Sequence, residues 1–407
     1  MIKFEQHIFS NGLQLVHIQD NSLAAHFAVV LGMGSRDELK NEHGIAHFIE
    51  HLFFKGTEKR KPYHILSRME DVGGELDAYT DKEFIVLSSS FPKQFFERSV
   101  ELIADMLFNS VFIEKEMEKE KEVIFEEISM YKDTPSDIIF DYFDEMLFGD
   151  NPMGRNVLGS VKSLQKIKRS NIYEFLQRQM LPNRTVICSA GNFTLNQVVK
   201  QIDRYFSCFP ANISNNQRIA PEILKPSKKI ITKKTNQAHC LIGQRSLEAT
   251  NPKRIGMYLI SNVLGGPGLN SRLNLLLREK WALVYQVDAN YCAYSDCGTF
   301  AVYFGADKSN VDNCQNLIIE EIKKLSRQKL GTMQMHNLKR QIIGQTILGS
   351  ENKSGRIISA AKALLTLNRI WTTEQIIERI EKLTSTDLLE IASEQFLNFE
   401  PSTVIIQ

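Results

Sequence analysis

Three things are scarce in this 407-residue sequence, and each scarcity excludes a class of function. Charge of one sign is the first: 49 Lys and Arg stand against 48 Asp and Glu, a formal net charge of +1. A balance this close to zero gives no electrostatic footing for nucleic acid or for an anionic membrane surface. Long apolar runs are missing too, although 43% of the residues are hydrophobic, so no stretch reaches bilayer-spanning length. Cysteine is the third scarcity, with Cys188, Cys208, Cys240, Cys292, Cys297 and Cys314 forming no C-x-x-C pair. That usage fits reduced, mostly buried thiols of an intracellular protein, not a disulfide framework or a thiolate metal site.

What remains is a chain too long for one ordinary core, which predicts two or more domains. Its opening stretch, MIKFEQHIFSNGLQLV, reads as two strands joined by an Asn11-Gly12 turn. With strand pattern this early, no signal or transit segment is expected, and the cytoplasm is the expected location.

The most informative stretch is His47-Phe-Ile-Glu50-His51. Histidines four apart stack on one helical face, so both imidazoles can reach a single ion. Glu50 stands beside them, placed to take a proton from a metal-bound water. This H-x-x-E-H order is the inverzincin signature, and a chance match in a chain of this length is roughly a one-in-a-hundred event. Ile45, Phe48, Ile49, Leu52 and Phe53 give the same segment an apolar stripe, and Gly56-Thr57 is expected to end the run.

Two histidines are too few, because catalytic zinc takes three protein ligands and keeps one position open. The acidic helix expected over Glu114–Met130 offers the third. Glu120 and Glu127 are seven apart, two turns along one face. Val123, Ile124, Phe125 and Ile128 around Glu127 suggest a carboxylate entering the core, where it would need a cation. Glu114, Glu116 and Glu118 read as a solvated face.

On these residues the chain resembles the pitrilysin/insulinase/mitochondrial processing peptidase family of zinc metallopeptidases. HFIEHLFFKGT carries the resemblance, with a glutamate 76 positions after His51, GGELDAYT (73–80), EKEVIFEEI (120–128) and SRLNLLLREKWALVY (271–285). The resemblance covers essentially the whole chain and is closest to the short bacterial type. It implies one Zn2+ per chain held by His47, His51 and Glu127, Glu50 as general base, and Glu120 as a carboxylate behind the ligands. It also implies that Arg278 and Tyr285 project from the second domain to steady the scissile carbonyl. Their spacing alone leaves open whether they face one way, since Val284 to Tyr291 looks like a strand. Trp281 stands where relatives often have a smaller or basic residue.

Gly73-Gly74 suits the start of an edge strand, to which an extended peptide can add through main-chain hydrogen bonds. Gly74, Asp77 and Ala78 are therefore the expected substrate-binding residues. Asp77 stands where relatives commonly have Asn, and a carboxylate cannot donate as an amide does.

The chain also repeats itself. LAAHFAVVLGMG (23–34) parallels NQAHCLIG (236–243), and FERSVELIADML (96–107) parallels NCQNLIIEEIKKL (313–325). Aligning Met117 with Met335 sets Glu127 opposite Gln345, and nothing like H-x-x-E-H follows position 230. The expected fold is α+β, with two homologous domains, each an antiparallel-rich sheet packed against a layer of helices. Residues 1–209 would form the zinc-binding domain, 210–227 a linker, and 228–407 a homologous domain without metal. The resemblance implies that four such units close a chamber, so a homodimer acting on extended peptides is expected. The other readings are a catalytic subunit of a heterodimer, a non-catalytic scaffold relative, and a hydrolase acting on something other than peptides.

Overall fold

Central strands buried on both faces and a half-exposed, alternating edge strand make up the first sheet, which the computed structural model, describing residues 3–210 and 218–407, shows as six strands. They are β1 (Phe4–Ile8), β2 (Gln14–Gln19), β3 (Ala24–Leu31), β4 (Glu75–Thr80), β5 (Ile85–Pro92) and β6 (Thr185–Gly191). The order is β1-β2-β6-β3-β5-β4, and only β2 and β6 run parallel. The Asn11-Gly12 turn does join β1 to β2, with Gly12 at φ +88°.

Strand β3 is apolar on both sides, as a doubly covered strand must be. Phe27, Val29 and Leu31 face one core with Leu15 and Leu87, packed on helices Ile45–Leu52, Phe96–Asn109 and Leu195–Phe206. Ala28 and Val30 face the other way, with Val16, Ile18, Val86 and Val186. Helix Lys353–Leu367 covers that second face through Ile357, Ile358, Ala361 and Leu364.

The second sheet contains β7 (Lys228–Ile231), β8 (Ala238–Ser246), β9 (Val284–Ala293), β10 (Gly298–Ala306) and β11 (Ser402–Ile406), ordered β7-β11-β8-β10-β9. Only β7 and β11 run parallel. Cys240, Ile242, Phe300, Val302 and Ile405 share a core with Met257, Ile318 and Phe396 of helices Arg254–Gly265, Val311–Leu325 and Ser385–Phe396. Leu241, Tyr303, Val404 and Ile406 form the opposite face, under Ile138, Ile139, Phe143 and Leu147 of helix Pro135–Phe148. Two antiparallel-rich sheets, each with helical layers, are the α+β architecture expected.

The expected boundaries at 1–209 and 228–407 need correction. One compact unit comprises 1–129, 155–218 and 349–372, and the other 130–154, 219–348 and 373–407. The reason is the second apolar face of each sheet, which is covered by a helix taken from the other half of the sequence. Burying side chains such as Ile357, Ile358 and Leu364 is worth on the order of 5 kcal/mol in all. Residues 211–217 of the expected linker lie outside the described residues. Arg218 belongs to the first unit, where it donates to the Asp37 and Glu83 side chains and to the carbonyl oxygens of Gly32 and Glu83. Among the described residues, no helix is long and apolar enough to cross a membrane.

The repeat is visible as structure. β3 and β8 take the matching strand segments, and helices Phe96–Asn109 and Val311–Leu325 take the matching helical ones. Met117 and Met335, the alignment anchors, are both buried in their unit's core on helices Glu114–Asp133 and Thr332–Ser350. All six cysteines are free; Cys208 and Cys292 are exposed and the other four buried.

Candidate metal centre

The H-x-x-E-H segment forms helix Ile45–Leu52, with Ile45, Ala46, His47, Phe48, Ile49 and Leu52 buried. It ends at Leu52, four residues before Gly56, which takes φ +125° in the following turn. Its start is fixed by a residue the sequence pattern did not reveal. The buried Glu38 carboxylate accepts from the backbone N–H of Gly44 at 2.9 Å and of Ala46 at 3.0 Å. It thereby satisfies donors that a helix N-terminus leaves unpaired. Burial, outweighing those two bonds, pushes the Glu38 carboxyl up to about 8. Gly44 has φ +91°, and a Cβ there would lie 2.8 Å from the Cα of Gly159, so only glycine fits.

His47 and His51 lie one turn apart, their rings edge to face with centroids 4.5 Å from each other. Glu127, on helix Glu114–Asp133, brings Oε1 to 3.8 Å from His47 Nε2 and Oε2 to 3.7 Å from His51 Nε2. One ligand atom from each of the three lies within 4.8 Å of the others, the one such group found among the described residues. Glu127 differs from expectation in its burial. Its side chain is 44% exposed and Val123 faces solvent, while Ile124 and Ile128 are buried in the core and Phe125 packs half-buried against it. The carboxylate stands at the rim of the site, flanking the apolar stripe instead of lying within it.

Glu120 is the buried one. Its side chain is 6% exposed, and it accepts from His51 Nδ1 at 2.8 Å and pairs with Lys55 Nζ at 2.5 Å. With the carboxylate accepting at Nδ1, the His51 lone pair is left on Nε2, toward Glu127. Burial opposes charge on both partners; even so, their contact holds His51 above and Glu120 below its ordinary range, with Lys55 adding to the second effect. His47 is pushed down to about 3 by burial and by neighbouring His51, so its imidazole is neutral. Two imidazoles and a carboxylate brought to one place form a donor set of the kind zinc takes, with His51 giving up its Nε2 proton when it binds. The counterpart in the second unit is neutral: Asn262 Nδ2 donates to Gln345 Oε1 at 3.1 Å. Carboxamides of this kind are poor zinc ligands.

Glu50 lies on the same helix, mostly buried, and accepts from Thr80 Oγ1 at 2.6 Å. Burial raises its affinity for a proton, with Glu127 and Asp77 acting in the same sense and Thr80 and His51 against it. The segment 73–80 behaves as expected of an edge. Gly73 takes φ +72°, Gly74 packs close under Ser90 and Phe91, and β4 is the outermost strand, paired to β5 alone. Asp77 is exposed, and its Oδ1 accepts from the N–H of Ala78 at 2.9 Å.

In the second unit, Arg278 lies in the π-helical segment Asn274–Lys280 and Tyr285 at the start of β9. The two come together, the Arg278 Cζ 5.6 Å from the Tyr285 ring centroid, and Tyr285 is 80% exposed. Trp281 beside them is also exposed, and Ala282 takes φ +50° in the turn between. Sequence reasoning missed Glu38, Lys55 and Thr80 as parts of the site. Lys55 had one available signal, its place four residues after His51 on the same helical line.

Comparison with known proteins identifies the family. A family model described as insulinase (peptidase family M16) matches residues 15–161, and one described as the peptidase M16 inactive domain matches 166–342. An uncharacterized zinc protease of Bacillus subtilis is 30% identical over 91% of this chain and 90% of its own. One from Streptomyces coelicolor is 32% identical over 94% of this chain and 84% of its own. Among solved structures, a protease from Helicobacter pylori superposes with a TM-score of 0.92 at 21% identity, covering 100% of both chains. A peptidase M16 inactive domain from Pseudomonas fluorescens does so at 0.92 and 16% identity, covering 100% of this chain and 98% of that one. The two successive family-model matches and the near full-length relatives place this protein in the insulinase family of peptidases, family M16.

Proposed function

We propose that this protein is a zinc-dependent endopeptidase of the cytoplasm that cleaves unfolded peptides and short polypeptides. The observation that carries the reading is the convergence of His47, His51 and Glu127, with Glu50 on the same helix face. Zinc bound by those three side chains would supply Lewis acidity, making a nearby water more acidic and polarising the scissile carbonyl. Glu50 takes the proton from the attacking water and returns it to the leaving amine, a role suited to a carboxylate whose proton affinity burial has raised. Glu120 holds the His51 ring in the orientation and tautomer that present Nε2.

Substrate adds to β4 as a further strand, so main-chain hydrogen bonds rather than side chains carry affinity. Gly74, Asp77 and Ala78 line that edge. Asp77 already engages the Ala78 N–H, so a peptide pairing at this position competes with the carboxylate. Arg278 and Tyr285 donate to the carbonyl oxygen as negative charge develops on it. A chain carrying both the metal motif and this pair can complete itself as a homodimer, one protomer's pair serving the other's site. Mixing inactive Glu50→Gln chains with Tyr285→Phe chains then restores activity; no recovery would argue against completion in trans.

The main test is cleavage of a mixed pool of unstructured peptides by wild type and Glu50→Gln, each with bound zinc quantified. The wild type alone should cut while both hold about one zinc per chain, the stoichiometry of one three-ligand site. Turnover by Glu50→Gln would sink the role given to Glu50. Zinc bound with no cleavage by either would favour a heterodimer whose partner supplies missing groups.

A further inference from the structure

We propose that Thr80 is a positioning residue for Glu50, so that the edge strand offered to a peptide also sets the geometry of the base. The inference rests on the peptidase reading and adds to it a residue of the edge strand. Side chains on β4 alternate: Glu75, Asp77 and Tyr79 are exposed, and Leu76, Ala78 and Thr80 are half-buried. Leu76 and Ala78 pack on the first core, which places Thr80 on the inner face of the strand. From there its Oγ1 donates to Glu50 Oε2 at 2.6 Å, joining residues 30 positions apart on two different elements.

A glutamate has three side-chain torsions and costs rotamer entropy to hold in one place. The hydroxyl stands on a β-branched residue whose χ1 is restricted and whose backbone is paired to Ile85 of β5. Engaging Oε2 leaves Oε1 as the oxygen that meets the water. A proton arriving from that water lands on Oε1, so Oε2 keeps acceptor lone pairs in both states and goes on accepting from the Thr80 hydroxyl. The same contact therefore holds Glu50 before and after it takes the proton.

The experiment compares Thr80→Val, which keeps shape and strand preference without the hydroxyl, with Thr80→Ser, which keeps the hydroxyl. A hydrogen bond to a charged group is worth roughly a 10- to 100-fold effect. Thr80→Val should lower kcat by about that factor with KM and zinc content unchanged, and Thr80→Ser should stay within about threefold of wild type. A kcat for Thr80→Val within twofold of wild type overturns the proposal, as does an equal loss in both variants. Crystal structures of the two variants supply a readout independent of turnover. Glu50 should leave its position in Thr80→Val and keep it in Thr80→Ser; an unmoved Glu50 in Thr80→Val overturns the proposal. Glu50→Gln run alongside separates the two failures: if it still cuts, the peptidase mechanism fails on its own terms, while the crystal comparison still decides the role of Thr80.

Discussion

Replacing Glu120 by Gln isolates how much of the metal affinity is set behind the ligands. The substitution keeps volume and one acceptor oxygen but removes the charge. In the native site that charge accepts from His51 Nδ1 at 2.8 Å and from Lys55 Nζ at 2.5 Å, on a side chain 6% exposed. A carboxamide can turn its oxygen to only one of the two. If the oxygen faces His51, the NH2 group meets the Lys55 ammonium, donor against donor; if it faces Lys55, the His51 ring loses its anchor. Either way a charge-assisted bond becomes a neutral one or none. Loss of such a partner typically weakens metal binding by about 10–100-fold, or about 1.4–2.8 kcal/mol. Competition of the metal-free proteins against a chromogenic chelator, at fixed pH, measures this directly. An affinity for Glu120→Gln within twofold of wild type would refute the argument that His51 is held through Glu120.

Glu127→Gln should lose most bound zinc, because two imidazoles remain where three ligands are needed. Its thermal stability should change little, since the side chain is 44% exposed; metal analysis with unchanged stoichiometry would remove Glu127 from the donor set. Glu38 should make stability depend on pH. Its carboxyl, beside Glu42, Arg155 and the N–H groups of Gly44 and Ala46, sits at about 8 in the folded chain against an ordinary 4.5. The folded state thus binds this proton more tightly, and the associated stability is full below about pH 4.5 and lost as pH rises through 8, a swing on the order of 5 kcal/mol. Urea midpoints across pH 5–9 should fall more steeply for wild type than for Glu38→Gln, and equal slopes would contradict the assignment.

The parts of the site that lie on single helices were legible in the sequence. Four-residue spacing gave His47 and His51, and a seven-residue spacing gave Glu120 and Glu127, because helical geometry converts spacing into direction. The edge strand could be read from two glycines ahead of an alternating run. Thr80 escaped notice because its bond to Glu50 crosses from strand to helix, and no periodicity encodes which strand residue meets which helix residue. Glu38 escaped for a similar reason: a capping side chain six and eight residues from its donors follows a loop path. The burial of Glu127 was misjudged because apolar neighbours in sequence were taken as neighbours in the core. Val123 points outward, Phe125 is half-buried, and the covered side of the helix runs through Met117, Glu120, Lys121, Ile124 and Ile128.

The exchanged helices have a consequence for how the chain is made. The first sheet spans residues 4–191, yet the face formed by Val16, Ile18, Val30 and Val186 is covered by Ile357, Ile358, Ala361 and Leu364, far along the chain. Lys362 ties the same helix to Asp81 across 281 positions of sequence. During synthesis the N-terminal sheet must wait, one apolar side open, until nearly the whole chain has left the ribosome. A nascent chain halted between the two sequence halves would carry a sticky, half-finished sheet, so chaperone dependence and a premature-termination product prone to aggregate are built into the topology.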